Sequence, residues 1–496
     1  MNWDRYGHRR YKGTLQRFFL LMCCLSSFYL SAQKPTPTLI QGCAQFACGE
    51  EIRLIAFDDM LTYHKTVAAS DKIDKNGNFK LSYTVVEPTL VQIAIRTSKA
   101  EFYIEPGKEY RFSVEMDPQL FDLLDPMAYG GYLQIHCENI SKNDINYKIN
   151  RYESVSSDIV DYFSPNILSD ISPAQFDSIA KEIHARFPIV YAPDRFYESY
   201  IYYSYASLER LLLQKEKGSL YKKYLDNEYV LYTNPAYMNF LNEFYDRYFI
   251  NSPHIALNDL KECINKGGHA LALFNLVGKD PYLINERIRE IAMIENLMQL
   301  YENKEFNRWN IIRILNEMAQ TSHFEEHRRI AENAVTELQR FNSGAFLPDT
   351  RMKEANGADF TLSNFKGKWV YLQFFNTTCL DCIREMTIIR QLQEKYKNNI
   401  VFVSISTDFN FGHFIQFKEK YPQFDWTFVH FNGEYQWLDD MGITTLPDNM
   451  LIAPDGKLSN RYAPDITKEL SIYLARLFKE EEDLSTPLNP NKEKSN

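Results

Sequence analysis

Residues 369–390 read WVYLQFFNTTCLDCIREMTIIR. The apolar, aromatic run 370–375 has the length and content of a buried strand. A polar turn, 376–378, leads into Cys379-Leu380-Asp381-Cys382, and apolar residues then recur at Ile383, Met386, Ile389 and Leu392, which is helical spacing. The two cysteines therefore fall where a strand hands over to a helix, with Cys379 at the helix N-terminus. Unpaired N–H groups and the helix dipole favour an anion there, so a thiolate is stabilised. Two intervening residues put Cys382 one turn along, within reach of a reversible disulfide. Asp381 adds a negative charge that opposes thiolate formation and tilts the pair towards a reductant. The chemistry this pattern predicts is thiol–disulfide exchange: Cys379, the more exposed sulfur, attacks, and Cys382 resolves the mixed disulfide.

Motifs on either side arrive in a recognisable order. Residues 357–362 (GADFTL) and 365–368 (FKGK) precede the strand, and Arg384-Glu385-Met386 follows the cysteines. Downstream come the strand-like run 401–408 (VFVSISTD), Thr445-Leu446-Pro447, and 449–456 (NMLIAPDG). In this order they resemble the TlpA/ResA thioredoxin-like disulfide reductases over residues 345–480. The resemblance implies an α/β thioredoxin-like domain, a redox-active disulfide between Cys379 and Cys382, and a cis peptide at Leu446-Pro447. In that family the cis-proline loop presents backbone to an extended substrate. It also makes Glu385 a candidate proton acceptor for Cys382, against the reading of a plain helix-surface carboxylate. Neither cofactor nor metal is called for. Its departures are Thr378 where an aromatic residue is usual, Asp381 and Thr387 where proline is frequent, and Asp448 where threonine is common. These bear on redox potential and partner choice.

The rest of the 496-residue chain has room for further domains. Its formal net charge of −10 argues against a nucleic-acid partner. Residues 1–32 carry Arg5, Arg9, Arg10, Lys12 and Arg17 ahead of an apolar stretch over 18–30 and then Ser31-Ala32, the layout of an export signal. Cys23 and Cys24 follow Met22 rather than the small residue that a lipid-attachment site needs, and are expected to leave with the signal. No later stretch is long and apolar enough to span a bilayer. The expected compartment is the periplasm, with the protein soluble or loosely membrane-associated.

Residues 33–116 alternate apolar and polar, as in Ile52-Arg53-Leu54, 79–85 and 110–114, with turn signals at Asn76-Gly77 and Pro106-Gly107. They predict an antiparallel β-sandwich, and resemble a domain of unknown function that precedes many TlpA-like proteins of the Bacteroidota. Cys43 and Cys48 either form a local disulfide or are buried free thiols.

Residues 117–344 predict an all-α region. Ile284, Ile288, Ile291 and Met298 mark one helix face; Phe306, Trp309, Ile312 and Leu315 mark the next. Aromatics crowd 200–205 and 244–249; at helical spacing these read as core before they read as a sugar or peptide site. His323-Phe-Glu-Glu-His327 fits a zinc-peptidase pattern, but reads first as a solvated helix face. Within the last region a helix is expected over 413–421, a strand over 426–431, a short helix over 435–441 and a closing helix over 466–478. The tail 481–496 has a disordered composition.

The whole predicts an exported thiol–disulfide oxidoreductase serving redox homeostasis. It would reduce disulfide-containing proteins with electrons from a membrane donor. Two alternatives stand: a binding or scaffold protein whose first two regions do the work, and a thiol peroxidase on the same fold.

Overall fold

The computed structural model describes residues 36–116, 133–163, 172–213, 217–227, 229–467 and 469–485. The predicted export signal and residues 486–496 lie outside these. The first region is a two-sheet sandwich. Strands β1 (Thr38–Cys43), β4 (Asn78–Tyr83), β7 (Glu109–Glu115) and β8 (Gln134–Cys137) form one sheet in the order β4-β1-β7-β8. Strands β2 (Glu51–Phe57), β3 (Lys65–Lys72), β5 (Thr89–Ile95) and β6 (Ser98–Ile104) form the other, ordered β3-β2-β5-β6. One pair, β1 with β7, runs parallel. The period of two works as expected in β4 and β7, whose Phe79, Leu81, Tyr110, Phe112 and Val114 all point into the shared core. Gly77 has φ +84°, and a Cβ there would sit 2.9 Å from the Gln45 backbone, so the 74–78 turn requires glycine.

Strand β8 lies inside the stretch expected to be all helical, because β7 leaves an edge that it pairs antiparallel. The alternation also fails on β2 and β5, where Arg53 and Gln92 are buried along with their apolar neighbours. That sheet is covered on both faces. Arg53 donates 2.8 Å to Gln436 in the last region and 2.7 Å to the Arg96 carbonyl. Cys43 and Cys48 are neither bonded nor buried: both are exposed free thiols.

The middle region is a helical array with conventional caps. Ser172 forms a capping box with Gln175 ahead of the helix Pro173–Arg186, and Asn234, Asn285 and Asn307 cap Pro235–Tyr245, Glu286–Leu300 and Arg308–Thr321. Ile288, Ile291, Ile312 and Leu315 are buried as the period predicts. Ile284 and Trp309 are exposed, the first because it precedes the Asn285 cap, the second because it falls off the buried face of its helix. The aromatic clusters are core: Tyr203, Phe244, Tyr245, Tyr248 and Phe249 are fully buried. Their hydroxyls stay satisfied, as where Tyr245 donates 2.6 Å to the Tyr282 carbonyl.

His327 is also fully buried, with Glu290 at 2.7 Å from Nδ1 and the Tyr232 hydroxyl at 2.8 Å from Nε2. Both ring nitrogens are therefore occupied. His323 precedes the helix Glu325–Gln339 and shares no face of it with His327. The zinc-peptidase pattern is a coincidence of spacing, though the residue it ends on is a core histidine and not part of a solvated face.

The last region carries a seven-stranded sheet in the order β10-β9-β13-β12-β11-β14-β15. Its strands are β9 (Met352–Glu354), β10 (Asp359–Phe360), β11 (Trp369–Phe375), β12 (Ile400–Ser406), β13 (Thr427–His430), β14 (Asp448–Ile452) and β15 (Leu458–Asn460). β11, β12 and β13 are parallel, and β14 returns antiparallel beside β11. Helices Leu380–Tyr396, Phe411–Lys420 and Leu470–Ser485 and the short helix Tyr435–Asp440 complete the α/β domain. Separate apolar cores lie on the two faces of the sheet, which is why β11 reads as an almost continuous apolar run. The closing helix starts later than expected and continues to Ser485, into a segment whose charge had pointed to disorder.

Candidate active site

The strand-to-helix turn is held from beneath. The buried Asn376 side chain accepts from the Thr378 N–H at 3.1 Å and its hydroxyl at 3.0 Å. Asp408, just beyond β12, accepts from the Thr377 N–H at 3.1 Å and the Thr377 hydroxyl at 2.7 Å. Ser406 donates 2.6 Å to the same carboxylate. The His430 ring nitrogen Nε2 lies 2.5 Å from the Asp408 carbonyl, and burial holds this imidazole below its ordinary pKa. Every one of these groups comes from a strand end at the same edge of the parallel sheet, where such sheets place their sites.

Cys379 is the N-cap of the helix Leu380–Tyr396, and its sulfur accepts from the Cys382 N–H at 3.1 Å. Cys379 and Cys382 are joined as a disulfide. Cys379 is half-buried and Leu380 is 69% exposed, whereas Cys382 is fully buried. Asp381 is exposed and pairs with Arg384 at 2.5 Å, so part of its charge is balanced before it reaches the sulfurs.

Glu385 faces inward. Its carboxylate accepts from Gln373 Nε2 at 3.0 Å and Asn449 Nδ2 at 3.1 Å. Gln373 also donates 3.3 Å to the Cys382 carbonyl, linking the carboxylate to the buried cysteine's backbone. Ser404, Gln373 and Asn449 stand side by side on β12, β11 and β14. Trp426 Nε1 donates to Ser404 Oγ at 2.9 Å, and Ser404 donates to Gln373 Oε1 at 3.0 Å, which fixes the amide so that its NH2 points at Glu385. Burial raises the Glu385 pKa above the ordinary carboxylate value, the Asp465 and Asp381 charges add to this, and the two amide donors partly offset it.

Three features of the site were absent from the expectations: the Gln373–Ser404–Trp426 relay, the Asp408 anchor, and Arg461. The signal for the first was Gln373 itself, a lone amide inside the apolar run 370–375. Leu446-Pro447 is cis, and Leu446 packs against the same apolar core that Cys379 borders. Immediately after it, Asp448 forms a buried bidentate pair with Arg461, at 2.6 and 2.9 Å.

The Redoxin family matches residues 342–477. The ResA thiol-disulfide oxidoreductase of Bacillus thuringiensis subsp. konkukian is 30% identical over 148 residues, covering 29% of this chain and 82% of the relative. This chain belongs to the ResA thiol-disulfide oxidoreductases. The Bacillus cereus ResA (strain ATCC 10987) is likewise 30% identical, over 28% of this chain and 80% of its own. Among solved structures, the thioredoxin domain of a Bacteroides vulgatus thiol-disulfide oxidoreductase is 20% identical with a TM-score of 0.26, covering 27% of this chain and 97% of its own. The ResA match accounts for the α/β region and leaves the sandwich and the helical array as additions to it.

A pH profile tests the role of Glu385. Its folded pKa lies above the value of an unfolded glutamate, so folding favours the protonated form and stability falls as pH rises between the two values. Accepting a proton from Cys382 needs the ionised form. The resolving step should therefore accelerate as pH rises through that raised pKa. Glu385→Gln is expected to slow it on the order of 10²-fold and to remove that limb of the profile. Single-turnover kinetics across pH measures both. An unchanged limb in Glu385→Gln assigns the titration to another group.

Proposed function

We propose that the protein is an exported reductase of protein disulfides in which Cys379 and Cys382 carry the exchange. The single observation behind this reading is the contrast between the two sulfurs. Cys379 is partly open to solvent and accepts an N–H at a helix tip, whereas Cys382 is fully buried, its carbonyl linked to Glu385 through Gln373. In the reduced enzyme the Cys379 thiolate attacks one sulfur of a substrate disulfide; a mixed disulfide forms and one substrate thiolate leaves. Cys382 then gives its proton to Glu385 and attacks the Cys379 sulfur. The second substrate thiol is released and Cys379–Cys382 is left oxidised, two electrons having passed to substrate. A thiol donor at the membrane would restore the dithiol. Leu446-Pro447 would offer its backbone to the chain around the substrate disulfide.

Export rests on the basic–apolar–small order of residues 1–32. Among the described residues no helix is long and apolar enough to cross a membrane.

Charge near the sulfurs supports this direction of electron flow. Asp381, though paired with Arg384, and Glu385 offset part of the stabilisation that the helix tip gives the Cys379 thiolate, and a couple whose reduced form is less stabilised is the more reducing one. The midpoint potential of the Cys379–Cys382 couple in glutathione or dithiothreitol buffers is expected below about −200 mV. A value near about −120 mV, that of a strong oxidant, would reverse the proposed direction.

A further inference from the structure

Two large cavities lie over the β3-β2-β5-β6 sheet of the sandwich, and they share two lining residues. One, of about 800 Å³, opens where the three regions meet and is lined by Lys65, Val67, Lys99, Arg340 and Thr444. The other, of about 740 Å³, lies between the sandwich and the helices and is lined by Phe57, Gln92, Glu101, Glu153 and Tyr200. Tyr63 and Lys65 line both, so the cavities adjoin there and make a trough in two parts. Its near end, at Thr444, belongs to the loop that carries Leu446-Pro447.

Several groups along this trough are set to receive something. β3 is an edge strand: it pairs with β2 on one side and, among the described residues, with no strand on the other. Its residues Lys65, Thr66 and Val67 line the wall, and Val67 is 43% exposed. The Lys65 ammonium stands 5.4 Å over the Phe57 ring, while the neighbouring Lys99 is tied to Asp439 at 3.1 Å. Gln92 is 7% exposed; its amide NH2 is spent on Glu101 at 2.6 Å, and its buried Oε1 has no hydrogen-bond partner. An acceptor left so is costly unless a ligand or water supplies a donor. Tyr63, a bulky residue held at φ +53°, donates from its hydroxyl to Asn239 at 2.9 Å and is 44% exposed where the two cavities adjoin.

We propose that this trough is a second recognition site, taking an extended polypeptide stretch that flanks the disulfide of a protein substrate. An edge strand supplies a row of backbone donors and acceptors that matches an extended chain and no small rigid ligand. Lys65 is placed for a carbonyl or carboxylate of that chain, Gln92 for a side-chain N–H, and Tyr63 for an apolar side chain. Thr444, two residues before Leu446, lines the near end of the trough, which brings one substrate strand within reach of both the trough and the cis-proline loop. The sandwich and helical array, which the ResA match does not cover, thereby choose substrates for a redox centre they do not contain. This inference rests on the reductase reading above.

The test uses the full chain and two kinds of disulfide: oxidised glutathione, and synthetic cystine peptides extended on one side from the bare pair to about ten residues. In the wild type kcat/KM should rise with extension, whereas Lys65→Glu and Tyr63→Ala should each lose about tenfold on the long peptide, through KM, and nothing on oxidised glutathione. An equal loss on both substrates would mean that the variants disturb the redox centre, and would overturn the proposal. So would a wild type indifferent to peptide length, the outcome if the chain itself fills the trough; that measurement needs no variant to fold. A wild type that turns over neither substrate would refute the reductase reading, and this proposal with it.

Discussion

Cys379→Ala is expected to bring disulfide turnover down to the uncatalysed rate, and Cys382→Ala to complete one attack and stop. The asymmetry comes from position. Cys379 caps a helix, has an N–H donated to its sulfur, and is partly open. Cys382, buried without any exposed surface and bonded to the sulfur one turn before it, is expected to meet no substrate directly. Without Cys379 nothing attacks. With Cys379 alone the mixed disulfide forms at close to the wild-type rate but has no intramolecular thiol to release it, so steady-state turnover collapses after a burst of one equivalent. Rapid-quench measurement of released substrate thiol separates the two variants. A Cys382→Ala enzyme that keeps cycling would mean that an external thiol resolves the intermediate.

The second large effect concerns Arg461, and it is one of stability. Its guanidinium binds Asp448 twice and donates 2.8 Å to the Gly442 carbonyl; the two side chains are 6% and 9% exposed. The Phe341 ring, from the segment that enters this region, stands 5.2 Å from the guanidinium. Arg461→Met leaves the Asp448 carboxylate buried without its counter-charge, which costs about 3–5 kcal/mol. Replacing both, with Arg461→Met and Asp448→Leu, should recover most of that loss, because an apolar pair incurs no desolvation penalty. Urea unfolding of the three proteins, following the transition of the α/β region, reports the difference. A loss under about 1 kcal/mol in the single variant would show that water reaches Asp448 and that the pair is effectively a surface one. As Asp448 directly follows Pro447, the single variant should also lose activity by loosening the cis-proline loop.

Asp448 also marks where sequence reading stops. As a departure from the family pattern it was visible, but its partner lies on the far side of a hairpin, and a buried ion pair leaves no periodicity to find. What periodicity does report came through well. The run 370–375 is β11, the cysteines sit at the strand-to-helix turn, and the sandwich, the helical array and the α/β domain follow in the expected order. Where one face of an element is buried, as in β4 and β7, alternation located it. Where both faces are covered, as in β2 and β5, burial of Arg53 and Gln92 depends on domains far away in the chain, and local pattern carries no trace of that. Strand β8 was missed for the same reason, being four residues that exist as a strand only because β7 offers an edge. At the site, Cys379, Cys382 and Glu385 were legible from spacing and resemblance, and Leu446-Pro447 from resemblance. Gln373, Ser404, Asn449 and Trp426 were not, since their connection is made across three neighbouring strands and the residue that precedes a fourth.

The most direct test of the central claim is peptide mapping of the complex that accumulates when reduced Cys382→Ala meets a disulfide-bonded protein and is quenched in acid. The account predicts one intermolecular disulfide, joining Cys379 to a substrate cysteine, and no such complex from Cys379→Ala. A complex that instead builds up in Cys379→Ala, bonded through Cys382, would contradict it.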